Sequence, residues 1–141
     1  MPTRTAKAAW KDTVSKGNGA VELGSGAFKG RYSFGSRFEE EKGTNPEELI
    51  GAAHAGCFSM ALANTLDTAG YTPESVSTEA GVHLDKTGGG FAVTEIRLST
   101  TVTVSGIEEE EFQKIAAEAA STCPVSKALT GVKISLSAAL A

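Results

Sequence analysis

The sequence is poor in most features that would point quickly to a function, and each shortage excludes something. It has only two cysteines, Cys57 and Cys123, too few for the disulfide framework of a small secreted domain. Basic residues number 13 against 17 acidic ones, a net charge of -4, so no positive field is available to gather phosphate backbones and no nucleic-acid partner is expected. Met1 to Lys11 carries scattered charges and no apolar stretch of the length of a secretory signal, which predicts a cytoplasmic protein. The longest run without Asp, Glu, Lys or Arg, Leu49 to Leu66, comes close to the lower length limit for a membrane span. Gly51, His54, Gly56, Ser59 and Asn64 dilute it, so a buried helix explains it better than a span, and no membrane partner is expected. Repeats, low-complexity tracts and linkers are also missing. A chain of 141 residues is then expected to form one domain, 1–141, burying roughly 70% of its unfolded surface.

What is present has clear periodicity. Gly19-Ala20-Val21-Glu22-Leu23, followed by Gly24-Ser25-Gly26, reads as part of a hairpin region. Thr44-Asn45-Pro46-Glu47-Glu48 supplies a cap residue, an early proline and first-turn acids, which predicts a helix from there to about Ala69, ended by Gly70. Val76, Thr78, Ala80, Val82 and Leu84 alternate as a half-buried strand does, and Lys86-Thr87-Gly88-Gly89-Gly90 turns it into a second arm. That arm is expected to place Ala92, Thr94, Ile96, Leu98, Thr100, Val102 and Val104 on one face, with Glu95 and Arg97 opposite. Phe112, Ile115, Ala116 and Ala119 repeat at helical spacing behind the acids Glu108 to Glu111. Cys123-Pro124 opens a further short helix, and Val132, Ile134, Leu136 and Ala138 end the chain as a strand. The order indicates an α+β fold with largely antiparallel sheets. The long helix is apolar on nearly every side, and a second copy of the chain is the simplest source of cover, so a homodimer is expected.

Few residues can carry chemistry. Free cysteine often behaves as a small buried hydrophobe, and packing alone would explain Cys57 and Cys123. In a reducing compartment the other readings are catalytic or metal-binding thiols. Cys123, at a helix start, ranks as the more acidic thiol, because the effect of a helix terminus fades beyond the first turn. Cys57, in mid-helix, needs a cation, and Arg37 in the segment Phe34-Gly35-Ser36-Arg37-Phe38, read as strand leading to loop, is the arginine best placed in sequence. Glu47 precedes Cys57 by about 15 Å of helix axis, so the two cannot touch along one helix. As a first-turn acid it also has a purely structural role. His54, one turn before Cys57, permits a Cys-His pair, a metal ligand, or a packed histidine held by a hydrogen bond. His54, Cys57, His83 and Cys123 could total four zinc ligands but lack the spacing of a closed zinc site.

The stretch from Arg37 through Thr44-Asn45-Pro46-Glu47, Gly51-Ala52-Ala53-His54-Ala55-Gly56-Cys57 and on to Leu62 resembles the OsmC and organic hydroperoxide resistance (Ohr) family. The likeness extends to Trp10, Leu84-Asp85-Lys86, Gly90-Phe91-Ala92, Val104-Ser105-Gly106-Ile107 and Cys123-Pro124-Val125-Ser126, and so covers nearly the whole chain. It implies antiparallel sheets wrapped around long central helices in an intertwined homodimer. It also implies a thiol peroxidase in which Cys57 attacks an organic hydroperoxide, Cys123 resolves the sulfenic acid as a transient disulfide, and Arg37 and Glu47 organise the thiolate. This assignment overrides the ranking of the two thiols by helix position. His54 stands where the OsmC branch carries histidine and the Ohr branch tyrosine. No bound cofactor is implied; the reductant would be an external dithiol such as a lipoyl group, free or on a lipoylated protein, and the role oxidative or osmotic stress defence. Phe38, Phe58 and Met60 are expected to favour alkyl-bearing peroxides. Two readings of other classes stay open: a stress-induced binding protein whose cysteines only pack, and a zinc-binding protein.

Overall fold

A computed structural model describes residues 1–141. The chain divides into two compact units, Met1–Leu49 and Ile50–Ala141.

The first unit is a three-stranded antiparallel sheet of β1 (Ala6–Lys11), β2 (Asn18–Leu23) and β3 (Lys29–Ser33), in that order. Trp10 pairs with Gly19 in register, and its ring lies 5.1 Å from that of Tyr32, on the strand beyond. The chain then departs from the expected strand and loop: Phe34–Phe38 forms a short helix, α1. Ser33 caps it by accepting from the Ser36 amide at 3.1 Å, while Ser36 Oγ accepts from the Ser33 amide at 2.8 Å. This reciprocal cap holds one helical turn against the extended preference of its flanks, and its signature is a serine pair three residues apart. Segment 44–45 is fastened to α1, because Ser36 Oγ donates to Thr44 O at 2.7 Å and Asn45 Nδ2 donates to Ser36 O at 3.1 Å.

Helix α2 (Pro46–Thr68) starts as the cap residues predict, with Asn45 Oδ1 accepting from the Glu48 amide at 2.8 Å. It ends at Gly70, whose φ of 94° is the left-handed conformation that closes helices. By length and composition α2 could cross a membrane. Within the chain it has two distinct faces. Gly51, His54, Phe58, Leu62 and Leu66 recur every three or four residues and are buried, whereas Ala52, Ala53, Gly56, Met60 and Asn64 are exposed.

The buried face belongs to the second unit, whose sheet has the order β4 (Ser75–Thr87), β5 (Gly90–Thr103), β6 (Lys133–Leu140). β4 and β5 form the predicted hairpin. A bulge interrupts it: His83 pairs with Glu95 and Leu84 with Val93, leaving Thr94 as the extra residue. The predicted inward face therefore holds for Ile96, Leu98, Thr100 and Val102, while below the bulge Val93 packs on the core in place of Ala92 and Thr94. β6 runs parallel to β5, the one parallel pair in otherwise antiparallel sheets. The helices α3 (Glu109–Thr122) and α4 (Pro124–Ala128) lie between these strands in sequence and make the crossover such a pair requires. Phe58, Leu62 and Leu66 join Ile96, Leu98, Val102, Phe112, Ile115, Ala116, Ala119 and Cys123 in one core. Each large apolar side chain buried there contributes about 1.5–3 kcal/mol. Helix and sheet meet closely at Gly51, where a Cβ would stand 3.3 Å from the Ala80 carbonyl oxygen.

Candidate functional site

The residues singled out from the sequence fall into two groups. In the first unit, α1 presents Arg37 to Glu47 in the first turn of α2. Arg37 Nε donates to Glu47 Oε1 at 3.0 Å and Oε2 at 3.2 Å, and Nη2 donates to Oε1 at 2.7 Å. The Glu47 side chain is 11% exposed and that of Arg37 36%, so the pair lies at the edge of water with its carboxylate mostly withdrawn. Arg37 is therefore held on α1 by an ion pair. Its guanidinium also lies 5.3 Å from the Phe38 ring centroid, which restricts it further. A fork of three charge-assisted hydrogen bonds fixes the plane of a guanidinium and leaves remaining N–H groups for an anion.

In the second unit, α2 and the start of α4 carry the two cysteines, both free thiols and near enough for each to act on the other's ionisation. Cys57 is half-buried and Cys123 fully buried. Burial raises the pKa of Cys57; the Val125 amide opposes this, and Cys123 adds to the rise as hydrogen-bond partner and as negative charge. Burial also disfavours the Cys123 thiolate, but the Ser126 amide, the Cys57 thiol, the Ser126 hydroxyl and the Val125 amide outweigh it, and the pKa of Cys123 falls below its ordinary value. Within this unit the negative charge therefore sits more readily on Cys123, the order that the helix-start argument gives.

His54 is buried one turn before Cys57, and its Nε2 lies 2.8 Å from Ser126 Oγ, one turn after Cys123. Burial lowers its pKa, so the ring is neutral at neutral pH. Nδ1 has no partner, a desolvation penalty of about 1–3 kcal/mol. Ser126 is the residue that sequence reasoning passed over. The available signal was its spacing, because Ser126 follows Cys123 by the interval at which His54 precedes Cys57.

The structure does not assemble the four candidate zinc ligands. His83 lies on β4 with a side chain 65% exposed, 3.8 Å from Asp85, and no three His, Cys, Asp or Glu side chains are grouped so as to hold a metal ion. Phe58 faces the core and cannot line an open site, whereas Met60, one turn beyond Cys57, is 77% exposed.

An α+β fold with one thiol on a long helix meeting a second at the start of a short one defines a class of two-cysteine protein. The family model described as OsmC-like protein matches residues 39–137. Peroxiredoxin OsmC of Escherichia coli (strain K12) is 50% identical over 127 residues, 89% of each chain. The organic hydroperoxide resistance protein OhrB of Bacillus subtilis (strain 168) is 31% identical over 94 residues, covering 66% of this chain and 67% of its own. The crystal structure of OhrB of Bacillus subtilis superposes with a TM-score of 0.71 at 26% identity, over 95% of this chain and 97% of the other. The chain belongs to the OsmC-like family.

Proposed function

We propose that this chain is a thiol peroxidase of peroxide defence that reduces organic hydroperoxides to alcohols. The observation that carries the reading is the meeting of two free thiols, Cys57 and Cys123, in one unit of the fold. Relatives named peroxiredoxin and organic hydroperoxide resistance protein support a peroxidase-type activity.

In the proposed cycle the Cys57 thiolate attacks the distal oxygen of the hydroperoxide. The O–O bond breaks, the alkoxide leaves and takes up a proton to become the alcohol, and Cys57 is left as a sulfenic acid. Cys123 attacks that sulfur, an S–S bond replaces the S–O bond, and water departs. An external dithiol such as a lipoyl group, free or carried on a protein, then reduces the disulfide by exchange, and no bound cofactor takes part. Because the surroundings of the second unit favour charge on Cys123, Cys57 needs a further cation to be the attacking thiolate, and Arg37 is proposed for that role. Glu47 would hold Arg37 in orientation through the three hydrogen bonds described.

The working form is proposed to be a cytoplasmic, intertwined homodimer in which residues 1–141 act as one functional domain. The uncovered face of α2, with Ala52, Ala53, Gly56 and the exposed Met60, supports the need for a second copy. Met60 also supports a preference for alkyl-bearing peroxides over hydrogen peroxide. The test is consumption of cumene hydroperoxide with dihydrolipoamide as reductant. Wild type should form cumyl alcohol catalytically, and full activity in Cys57→Ser would end the proposal. A binding protein with inert cysteines would lose no free thiol on exposure to the peroxide.

A further inference from the structure

Two helical turns face one another in the second unit. On α2, His54 and Cys57 are three residues apart; at the start of α4, Cys123 and Ser126 are three residues apart. His54 Nε2 lies 2.8 Å from Ser126 Oγ, and beside that pair Cys57 and Cys123 act on one another's ionisation. The proposed cycle uses only the cysteine rung. The other rung joins a fully buried histidine, with one ring nitrogen left without a partner, to a serine one turn after Cys123, whose amide and hydroxyl lower the pKa of that thiol.

We propose that His54 is a positioning residue and Ser126 a catalytic one for the second half of the cycle: His54 Nε2–H donates to Ser126 Oγ, which turns the serine hydroxyl proton toward the Cys123 sulfur and readies that sulfur to close the disulfide. The inference rests on the reading that Cys123 resolves oxidised Cys57. The tautomer follows from burial. A neutral ring with its proton on Nε2 leaves Nδ1 as an unpaired acceptor, whereas the opposite tautomer would bury an unpaired N–H donor, the rarer and more costly arrangement. With Nε2 donating, the Ser126 oxygen is occupied as acceptor and its own proton is free for the sulfur.

The timing fits the chemistry. In the reduced protein the Cys57 thiol also favours the Cys123 thiolate. Once Cys57 is oxidised that donor is gone, and Ser126 remains on the attacking sulfur. In the step itself the Cys123 thiolate attacks the sulfenic sulfur of Cys57, the S–S bond forms and the S–O bond breaks. The leaving hydroxide takes a proton from solvent, which received the proton lost by Cys123, so water is the only other product. Cys123 is oxidised and Cys57 reduced by the same electron pair, and no further reagent is consumed.

The experiment separates the two half-reactions after one equivalent of cumene hydroperoxide. Rapid quenching with dimedone reports Cys57 sulfenic acid, and intact-protein mass after alkylation reports the disulfide. Wild type, Ser126→Ala, Ser126→Thr, His54→Leu and His54→Gln are compared. The expected result is disulfide closure slowed about tenfold in Ser126→Ala and His54→Leu, as for loss of one hydrogen bond to a charged atom, with Cys57 oxidation changed by less than about twofold. Ser126→Thr, which keeps the hydroxyl, and His54→Gln, which keeps an amide donor, should both recover most of the closure rate. Unchanged closure in Ser126→Ala overturns the inference, as does an equal slowing of both half-reactions or failure of Ser126→Thr to recover. If His54→Leu does not fold, the Ser126 pair decides. A wild-type chain that forms no disulfide overturns the proposed peroxidase cycle as well, whereas normal closure in both wild type and Ser126→Ala overturns this inference alone.

Discussion

The surroundings of the two cysteines differ more than their separate places on helices would suggest. Cys57 sits in the middle of α2, half-buried, with its thiol pushed up by burial and by its neighbour. Cys123 is fully buried, yet two amides, a hydroxyl and a thiol favour its thiolate and lower its pKa. Burial works against charge at both sites, so the count of donors decides the difference. Depth alone is a poor guide to thiol reactivity, and a buried sulfur surrounded by donors can be the more acidic of a pair. For Cys57 to be the attacking sulfur, charge must be drawn to it from outside this set of donors, which is the work proposed for Arg37.

The largest effects should follow from deleting one sulfur at a time. Cys57→Ser should reduce peroxide turnover to the uncatalysed background. Cys123→Ser should consume about one peroxide per active chain, accumulate a dimedone-reactive Cys57, and fail to turn over with the dithiol reductant. Sustained turnover in Cys123→Ser would show that the second sulfur is not needed.

A smaller effect is expected from the charged pair. Arg37→Ala should lower kcat/KM by about a hundredfold at neutral pH and move the rising limb of the pH profile upward, because loss of a cation raises the pKa of the attacking thiol. Glu47→Gln keeps the shape and weakens the fork, and should lose about tenfold. An unshifted pH profile in Arg37→Ala would assign Arg37 to structure and not to the thiolate.

The smallest expected effect concerns stability and His54. Its folded pKa lies below the ordinary value of 6.5, so the unfolded chain binds the proton more readily. The folded state is then favoured fully above pH 6.5, and that contribution is lost as pH falls from 6.5 toward the lowered folded value. Urea unfolding at mildly acidic and mildly alkaline pH should give a lower midpoint on the acidic side, and His54→Gln should flatten that difference. Equal slopes in the two proteins would remove His54 from the account. For scale, Leu62→Ala in the same core should destabilise by about 2–5 kcal/mol at either pH.

Much of the fold was legible in the residues, and the departures have identifiable causes. The start of α2 at Asn45-Pro46, its stop at Gly70 and the β4–β5 hairpin depend on caps and periods within a few residues. The α1 turn was missed because Phe34 to Phe38 has no apolar period, and a serine pair makes the cap. The slip at Thr94 was missed because a bulge leaves the alternation on either side intact. The parallel pairing of β6 with β5 cannot be read from the strands themselves, since it depends on the path of α3 and α4 between them. Among the candidate residues, Arg37, Glu47, Cys57 and Cys123 stood out by residue type and family likeness. Ser126 did not, because serine near a helix start usually serves the helix.

By itself, then, the sequence determined the elements, the family and the two sulfurs, since local periodicity, capping chemistry and the scarcity of thiols all act over short stretches or single positions. The tertiary structure decided who meets whom: Arg37 with Glu47, Cys57 with Cys123, and His54 with Ser126. Those pairings set charge and donor direction, and both depend on contacts between residues as far apart as 72 positions, which no local pattern encodes.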